Sequence, residues 1–199
     1  ALVAAGVMTA DDAIRTVRER GILMQEAVPA GVGGMSAVLG MTADEINAVV
    51  DEIPNVQVAN YNCPGQIVIS GLKEAVETAA VKLKEAGARR VIPLNVSGPF
   101  HSYLLEEAGE KLGRFLENIP VSEPVIPYVA NVTAAYVTKA EDVKPLLTRQ
   151  VSSSVRWQQS VETMLADGVD RFIEIGPGKT LAGFIRKINR EATVINIEK

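Results

Sequence analysis

The chain contains a single histidine, His101, within the segment Val-Ser-Gly-Pro-Phe-His-Ser at 96–102, between a predicted strand and a predicted helix. An imidazole exposed at such a junction titrates near neutral pH and can work as a general base or acid. Its nucleophile is not evident, because no Gly-x-Ser-x-Gly segment occurs in the 199 residues. The alternative interpretation is a structural histidine that packs in the core.

Two other segments carry residues of possible chemical use. Cys63 could pair with His101 as a thiol nucleophile, but its place in a predicted hairpin turn favours a small structural thiol. The segment 176–180, Gly-Pro-Gly-Lys-Thr, ends like a phosphate-binding loop. The full motif requires glycine where Ile173 stands, and Pro177 removes one backbone N–H donor. A tight strand-to-helix turn is therefore the favoured interpretation.

The composition excludes several classes of protein. Hydrophobic residues make up 47% and charged residues 22%, which is enough to bury a sizeable core. The net charge of −4 argues against a nucleic-acid-binding protein. No apolar run reaches the roughly 18 residues of a membrane span. The lone cysteine forms no metal-ligand cluster and is typical of a reducing cytoplasm.

Capping residues and apolar periodicity predict the elements that position His101. Thr9 begins a helix that extends to about Ala27. The region from Gly34 to Val96 then has the order β-α-β-β-α-β, which is the ferredoxin-like arrangement of four antiparallel strands and two helices. Its predicted elements are the strand Met35–Leu39, the helix Thr42–Asp51, the strands Val56–Asn62 and Gln66–Ser70, the helix Lys73–Ala86 and the strand Arg89–Leu94.

The remainder of the chain is predicted to be an α/β body into which this piece is inserted. Residues 1–6 have the pattern of the end of a buried helix that Gly6 closes, so we expect the chain to be a fragment. Alternation of strands and helices favours a parallel sheet with helices on both faces. The predicted elements are a mostly helical Pro99–Asn118, the strand Ile126–Asn131, the helices Ala140–Gln150 and Trp157–Asp167, the strand Asp170–Ile175, the helix Thr180–Ile188 and the strand Thr193–Ile197.

Six segments, in order along the whole chain, resemble those of the malonyl-CoA:acyl-carrier-protein transacylases of type II fatty acid synthesis. They are Ala1–Gly6, Val17–Gly21 with Met24-Gln25, Asn60–Gln66, Val96–His101, Arg149-Gln150 with Val155–Trp157, and Glu174–Lys179. The resemblance implies an α/β fold, with an incomplete α/β-hydrolase-like body at 1–32 and 97–199 and an inserted ferredoxin-like βαββαβ subdomain at 33–96.

The resemblance also implies a role for each candidate residue. His101 is the expected general base, and Gln150 is expected to hold its imidazole through a main-chain carbonyl; the alternative for Gln150 is a solvent-facing residue at a helix end. Arg20 is expected to bind the free carboxylate of malonyl, whereas Arg18 is interpreted as surface charge. Phe100 is expected to crowd branched acyl units.

Three further residues resemble those at the entrance for coenzyme A and the acyl group: Asn60, Asn62 and Ser97. Local hydrogen bonding at the adjacent Pro-Gly turn is the alternative for the two asparagines.

The chain departs from the family pattern in one respect. Family members carry a Gly-Gln-Gly-Ser-Gln segment and a Gly-His-Ser-Leu-Gly-Glu nucleophile elbow, and neither occurs in the 199 residues. The resemblance therefore predicts the C-terminal two-thirds of a cytoplasmic acyltransferase, inactive by itself because it lacks the serine that becomes malonylated.

The expected partners are malonyl-CoA and acyl carrier protein, with no nucleic acid, no membrane and no cofactor, since a thioester is already activated. The alternative function is a non-catalytic domain that binds a carrier protein or an acyl group.

Overall fold

The computed structural model of the protein describes residues 1–198, and its first residues form a helical turn that Gly6 ends. The Ala5 N–H donates to the Ala1 carbonyl at 2.8 Å. Gly6 has φ +73° and its N–H donates to Val3, while the Val7 N–H donates to Leu2. This pair of bonds is a Schellman motif, which confirms Gly6 as the residue that closes the turn.

Helix α1 (Ala10–Ala27) begins where its cap predicts, since the Thr9 side chain accepts the Asp12 N–H. Its apolar residues do not form one buried face. Met24 and Val28 are buried, whereas Ile14 and Val17 are 66% and 68% exposed. The first half of the helix therefore presents apolar side chains to solvent.

The ferredoxin-like subdomain has the predicted order and pairing. The elements are β1 (Gly33–Leu39), α2 (Ala43–Val50), β2 (Val56–Cys63), β3 (Gln66–Leu72), α3 (Lys73–Glu85) and β4 (Arg90–Pro93). The strands lie side by side in the order β2-β3-β1-β4, and every neighbouring pair is antiparallel. A capping box between Thr42 and Glu45 starts α2. The side chains of Val38, Ile69 and Leu83 meet in one core.

The second half of the chain contributes further elements of the α/β body. The elements are a 3₁₀ turn (Tyr103–Leu105), α4 (Glu106–Leu116), β5 (Tyr128–Ala130), β6 (Ala135–Val137), α5 (Ala140–Gln150), α6 (Trp157–Ala166), β7 (Arg171–Ile175), α7 (Thr180–Ile188) and β8 (Thr193–Ile197). β7 and β8 are parallel, as predicted, whereas β5 and β6 form an antiparallel hairpin.

Two features of this half differ from the sequence prediction. β6 was not predicted, because three residues are too few for a periodic pattern. The region from Pro99 to Ser102 is not helical, since His101 has φ +56° and a 3₁₀ turn starts only at Tyr103.

No helix within residues 1–198 is long and apolar enough to cross a membrane.

The segment after α5 is tied to the open edge of β2. The Tyr61 N–H donates to the Val155 carbonyl at 2.9 Å, and the Val155 N–H donates to Ala59 at 2.8 Å. The register of β2 against β3 shifts between Val58 and Asn60, so the carbonyl of Ala59 is free to turn outward at this bulge. This contact fixes the end of α5 relative to the ferredoxin-like sheet.

Candidate active site

A cavity of about 520 Å³ lies between α1, the ferredoxin-like sheet and the 94–101 loop. It brings together residues that are up to 81 positions apart in the chain, from Arg20 to His101. Five of the seven predicted site residues line it: Arg20, Asn60, Ser97, Phe100 and His101. Gln150 lies directly behind His101, and Asn62, at the second register shift of β2, does not line the cavity.

His101 is held by a main-chain carbonyl. Its Nδ1 lies 3.1 Å from the Gln150 carbonyl oxygen. Because a carbonyl only accepts, this contact requires the proton on Nδ1 and leaves the Nε2 lone pair free to accept a proton. The imidazole is half-buried rather than exposed, which corrects the sequence-based expectation.

The surroundings keep this imidazole neutral. Burial lowers the pKa of His101 below its ordinary value, and the positive charge of Arg20 lowers it further. The carbonyls of Gln150 and Ser153 oppose that shift. A neutral ring at pH 7 can accept a proton, so the site is prepared for general-base chemistry.

The carbonyl of Gln150 is available because Gln150 is the last residue of α5. The final carbonyls of a helix have no partner within it and carry its partial negative charge. The side chain faces elsewhere, since its Nε2 donates to the Ser153 carbonyl at 3.0 Å. A helix end here provides the orientation that a carboxylate provides in a Ser-His-Asp triad, without a full charge.

Arg20 supplies the cavity with a half-buried cation. Among residues 1–198, no carboxylate lies within ion-pair distance of its guanidinium. Burial lowers the pKa of Arg20 below its ordinary value, which expresses the cost of leaving that charge without a partner. A planar guanidinium is suited to bind a carboxylate through two parallel hydrogen bonds. Arg18, two positions earlier, is exposed.

The remaining lining residues give the cavity an apolar wall and a polar rim. The Phe100 ring packs between the core of α1 and α4 and a small cluster that contains Met35 and Ala59. Ser97 is exposed at the rim, and Asn60 is half-buried on β2. Within the described residues, no serine, threonine or cysteine side chain is hydrogen-bonded to the imidazole.

Sequence reasoning missed Gln57, which lies on β2 outside this cavity. Its amide hydrogen-bonds to main-chain atoms of His101, Tyr103 and Ser152. No motif marks it, because its partners are 44 or more positions away. The only signal is a polar residue between the buried Val56 and Val58, and that alternation is common to most strands.

Cys63 and the 176–180 turn, the two other segments of possible chemical use, have structural roles in the fold. Cys63 is fully buried, and burial raises the pKa of its thiol, against the weaker effect of Lys187. At the start of α7, the Glu174 carboxylate accepts the N–H groups of Leu181 (3.1 Å) and Ala182 (2.9 Å). A protein carboxylate thus already fills the place where a phosphate would bind.

Comparison with known proteins agrees with this geometry. A family model described as "Acyl transferase domain" matches residues 1–197. The malonyl CoA-acyl carrier protein transacylase of Bacillus subtilis is 48% identical over 201 residues, which cover 99% of this chain and 63% of that protein. The chain thus spans just under two thirds of the length of the curated relatives it matches.

Solved structures show the same fold. The acyl carrier protein S-malonyltransferase of Vibrio cholerae superimposes with a TM-score of 0.97 at 42% identity, over 99% of this chain and 65% of that one. A malonyl-transacylase solved in complex with its type II PKS acyl-carrier protein gives a TM-score of 0.96 at 42% identity, with the same coverage.

Proposed function

The chain belongs to the acyl transferase domain family, and from that premise we propose that it supplies the proton-transfer and carboxylate-binding parts of a malonyl-CoA:acyl-carrier-protein transacylase. The observation that carries the proposal is a half-buried Arg20 that has no ion-pair partner among residues 1–198, in the same cavity as a carbonyl-held His101. The names of the relatives support malonyl-CoA and acyl carrier protein as the two substrates.

In the proposed reaction, His101 moves one proton in each direction. Its Nε2 takes the hydroxyl proton of a serine while the serine oxygen attacks the malonyl thioester carbon. Collapse of the tetrahedral intermediate breaks the carbon–sulfur bond, and the imidazolium returns the proton to the departing coenzyme A thiolate. The reverse sequence passes malonyl from the serine ester to the phosphopantetheine thiol of acyl carrier protein.

Arg20 and Phe100 set the acyl preference in this proposal. Malonyl differs from acetyl by a carboxylate, and only malonyl neutralises the half-buried Arg20 cation in the cavity. The half-buried Phe100 ring lines the cavity and is expected to crowd a 2-methyl branch. One methyl contact changes specificity by roughly 1–3 kcal/mol, so Phe100 gives a preference rather than an exclusion. Asn60, Asn62 and Ser97 are proposed to contact coenzyme A or phosphopantetheine near the entrance.

We assign the attacking serine to a segment outside these 199 residues. No nucleophile elbow occurs in the chain, and just over one third of each relative's length lies outside the region that it shares with this chain. Two apolar surfaces support this assignment. One is the first half of α1, where Ile14 and Val17 are exposed. The other is a face of β7 and β8 formed by four residues that are 41–79% exposed: Ile173, Ile175, Ile195 and Ile197.

The proposal includes the division of the chain and its location. Residues 1–32 and 97–199 are assigned to the acyltransferase body, and 33–96 to the ferredoxin-like subdomain. The cytoplasm is the assigned compartment, in keeping with a single cysteine and no disulfide.

The experiment joins the chain to the nucleophile-bearing segment of a relative and supplies radiolabelled malonyl-CoA. We expect a labelled acyl-enzyme, and then labelled acyl carrier protein once the carrier with its phosphopantetheine is added. The 199-residue chain alone is the matched control, and it should remain unlabelled. Carrier binding without any transfer of label by the joined protein would instead identify a non-catalytic binding domain.

A further inference from the structure

The Gln57 side chain braces the backbone on both sides of His101. Its Oε1 accepts the N–H of Tyr103 at 3.0 Å. Its Nε2 donates to the carbonyl of His101 at 3.2 Å, and also approaches the carbonyl of Ser152 at 3.4 Å. One amide thus replaces the partners that these main-chain groups would have in a strand or helix.

The backbone at His101 needs such a brace. With φ +56° it lies in the left-handed region, where a residue with a Cβ is less stable than in the ordinary helical or extended regions. The Ser102 hydroxyl bonds within the turn, to the Pro99 carbonyl at 2.7 Å. Gln57 adds side-chain hydrogen bonds that join the main chain of the turn to the sheet beneath it.

The third bond of Gln57 couples His101 to its orienting carbonyl. Ser152 lies two residues after Gln150, and the following residues pair with the edge of β2 at Val155. Gln57 also belongs to β2, so a single strand holds both the turn that carries the imidazole and the segment that carries the Gln150 carbonyl. The Nδ1-to-carbonyl distance of 3.1 Å depends on these two placements.

We propose that Gln57 is a positioning residue, which keeps the His101 imidazole in the Nδ1–H tautomer and aligned on the Gln150 carbonyl. This inference rests on the proposed role of His101 as the base. Water can reach the freed backbone groups from the adjoining polar cavity of about 300 Å³, which Gln57, Tyr103 and Ser152 line. Loss of the amide should therefore affect alignment more than stability, since water satisfies the bonds without fixing the geometry.

The first test is ¹⁵N NMR of the 199-residue chain, in which His101 is the only histidine and gives an unambiguous signal. In the unsubstituted chain we expect the Nδ1–H tautomer. Gln57→Met keeps the length of the side chain but makes none of the three bonds, so the spectrum should move toward a mixture of tautomers. Gln57→Glu can accept the Tyr103 N–H but cannot donate to the carbonyls, so it should give an intermediate spectrum. Gln158→Met is the control, because that amide donates only to the exposed Glu162.

The second test is acyl transfer by the protein joined to its nucleophile-bearing segment. Gln57→Met should lower kcat roughly tenfold to a hundredfold, the range expected for a misplaced catalytic group, while KM for malonyl-CoA changes little. Spectra and kcat equal to those of Gln158→Met would overturn the proposal. A third outcome separates the two proposals. If Gln57→Met changes the tautomer but the transfer rate does not depend on His101, the positioning role stands and the proposed function is rejected.

Discussion

At the scale of single residues, the site pairs a neutral imidazole with a helix-end carbonyl and sets a half-buried cation beside it. A carboxylate partner would raise the pKa of His101 and favour imidazolium. The Gln150 carbonyl raises it less, so burial and the Arg20 charge prevail and the pKa stays below its ordinary value. The ring is therefore neutral at neutral pH, with its one proton on Nδ1 and with Nε2 free to accept another.

Under the proposed function, replacing His101 should abolish most catalysis while the fold persists. His101→Asn is the suitable variant, because asparagine tolerates the left-handed backbone better than alanine does. In the joined protein we expect transfer to fall roughly 10²- to 10⁴-fold, the usual contribution of a general base. The measurement pairs the transfer rate with thermal unfolding. Near-normal activity per folded molecule with a large fall in Tm would identify a structural histidine instead.

The lowered pKa of His101 also predicts how stability depends on pH. The unfolded chain binds a proton at His101 below about pH 6.5, whereas the folded chain binds it only at lower pH. Between these two pKa values the unfolded state holds more protons, so the free energy of unfolding should fall as pH falls, by at most about 1.4 kcal/mol per pH unit. Urea unfolding at pH 7.5, 6.5 and 5.5 should show this slope, and His101→Asn should reduce it. Equal slopes in the two proteins would contradict the lowered pKa.

At the scale of elements, the turn that carries His101 rests against the first residue of β1. A Cβ built on Gly33 would lie 2.4 Å from Pro99, which is two residues before His101. A Cβ built on Gly34 would lie 3.5 Å from the Lys73 Cα, an ordinary contact. Both glycines are half-buried at the start of the same strand, so they form a matched pair.

Alanine at these two positions should have different effects. Gly33→Ala should push Pro99 away, lower stability by roughly 1–3 kcal/mol as overpacking does, and reduce kcat by displacing His101. Gly34→Ala should change stability by less than about 1 kcal/mol and leave kcat unchanged. Urea unfolding and initial transfer rates provide the comparison. Equal kcat values would show that the turn is not supported by Gly33.

Elements governed by local chemistry could be predicted from the sequence, and those governed by distant contacts could not. The caps at Thr9 and Thr42 locate two helix starts, because each side chain bonds its own first turn. The pairing of Val155 with the edge of β2 and the bonds of Gln57 join segments 44 or more positions apart, and no local pattern encodes them. The role of the Gln150 carbonyl is also not encoded locally. Periodicity predicts only a helix that ends there, and the role itself is implied by the family resemblance alone.

At the scale of the whole molecule, one side of the β7–β8 sheet is open. Helices α6 and α7 cover its inner face, where Phe172 packs against Val161 and Ile185. Its outer face carries four exposed isoleucines, with Ile175 79% exposed. Parallel sheets in proteins are generally covered on both faces, and exposed apolar patches of this kind promote association.

The separate 199-residue chain should therefore self-associate through this face. Ile175→Lys should raise the monomer fraction in sedimentation or light-scattering measurements without lowering Tm, because the side chain is already exposed. Val81→Lys is the control, since Val81 is 57% exposed but lies on α3, in the other subdomain. Self-association that both substitutions relieve equally, or that neither relieves, would mean that the open sheet face is not the contact.

The proposed function depends on Arg20 as the group that selects malonyl, and the ratio of malonyl to acetyl transfer measures this role most directly. Arg20→Ala removes the carboxylate's partner and also removes the unpaired cation that penalises acetyl. In the joined protein, kcat/KM for malonyl-CoA should fall steeply while that for acetyl-CoA rises relative to it. Arg20→Lys should restore the ratio only in part, because an ammonium lacks the two-point geometry of a guanidinium. A malonyl-to-acetyl ratio that Arg20→Ala leaves unchanged would show that Arg20 does not bind the malonyl carboxylate.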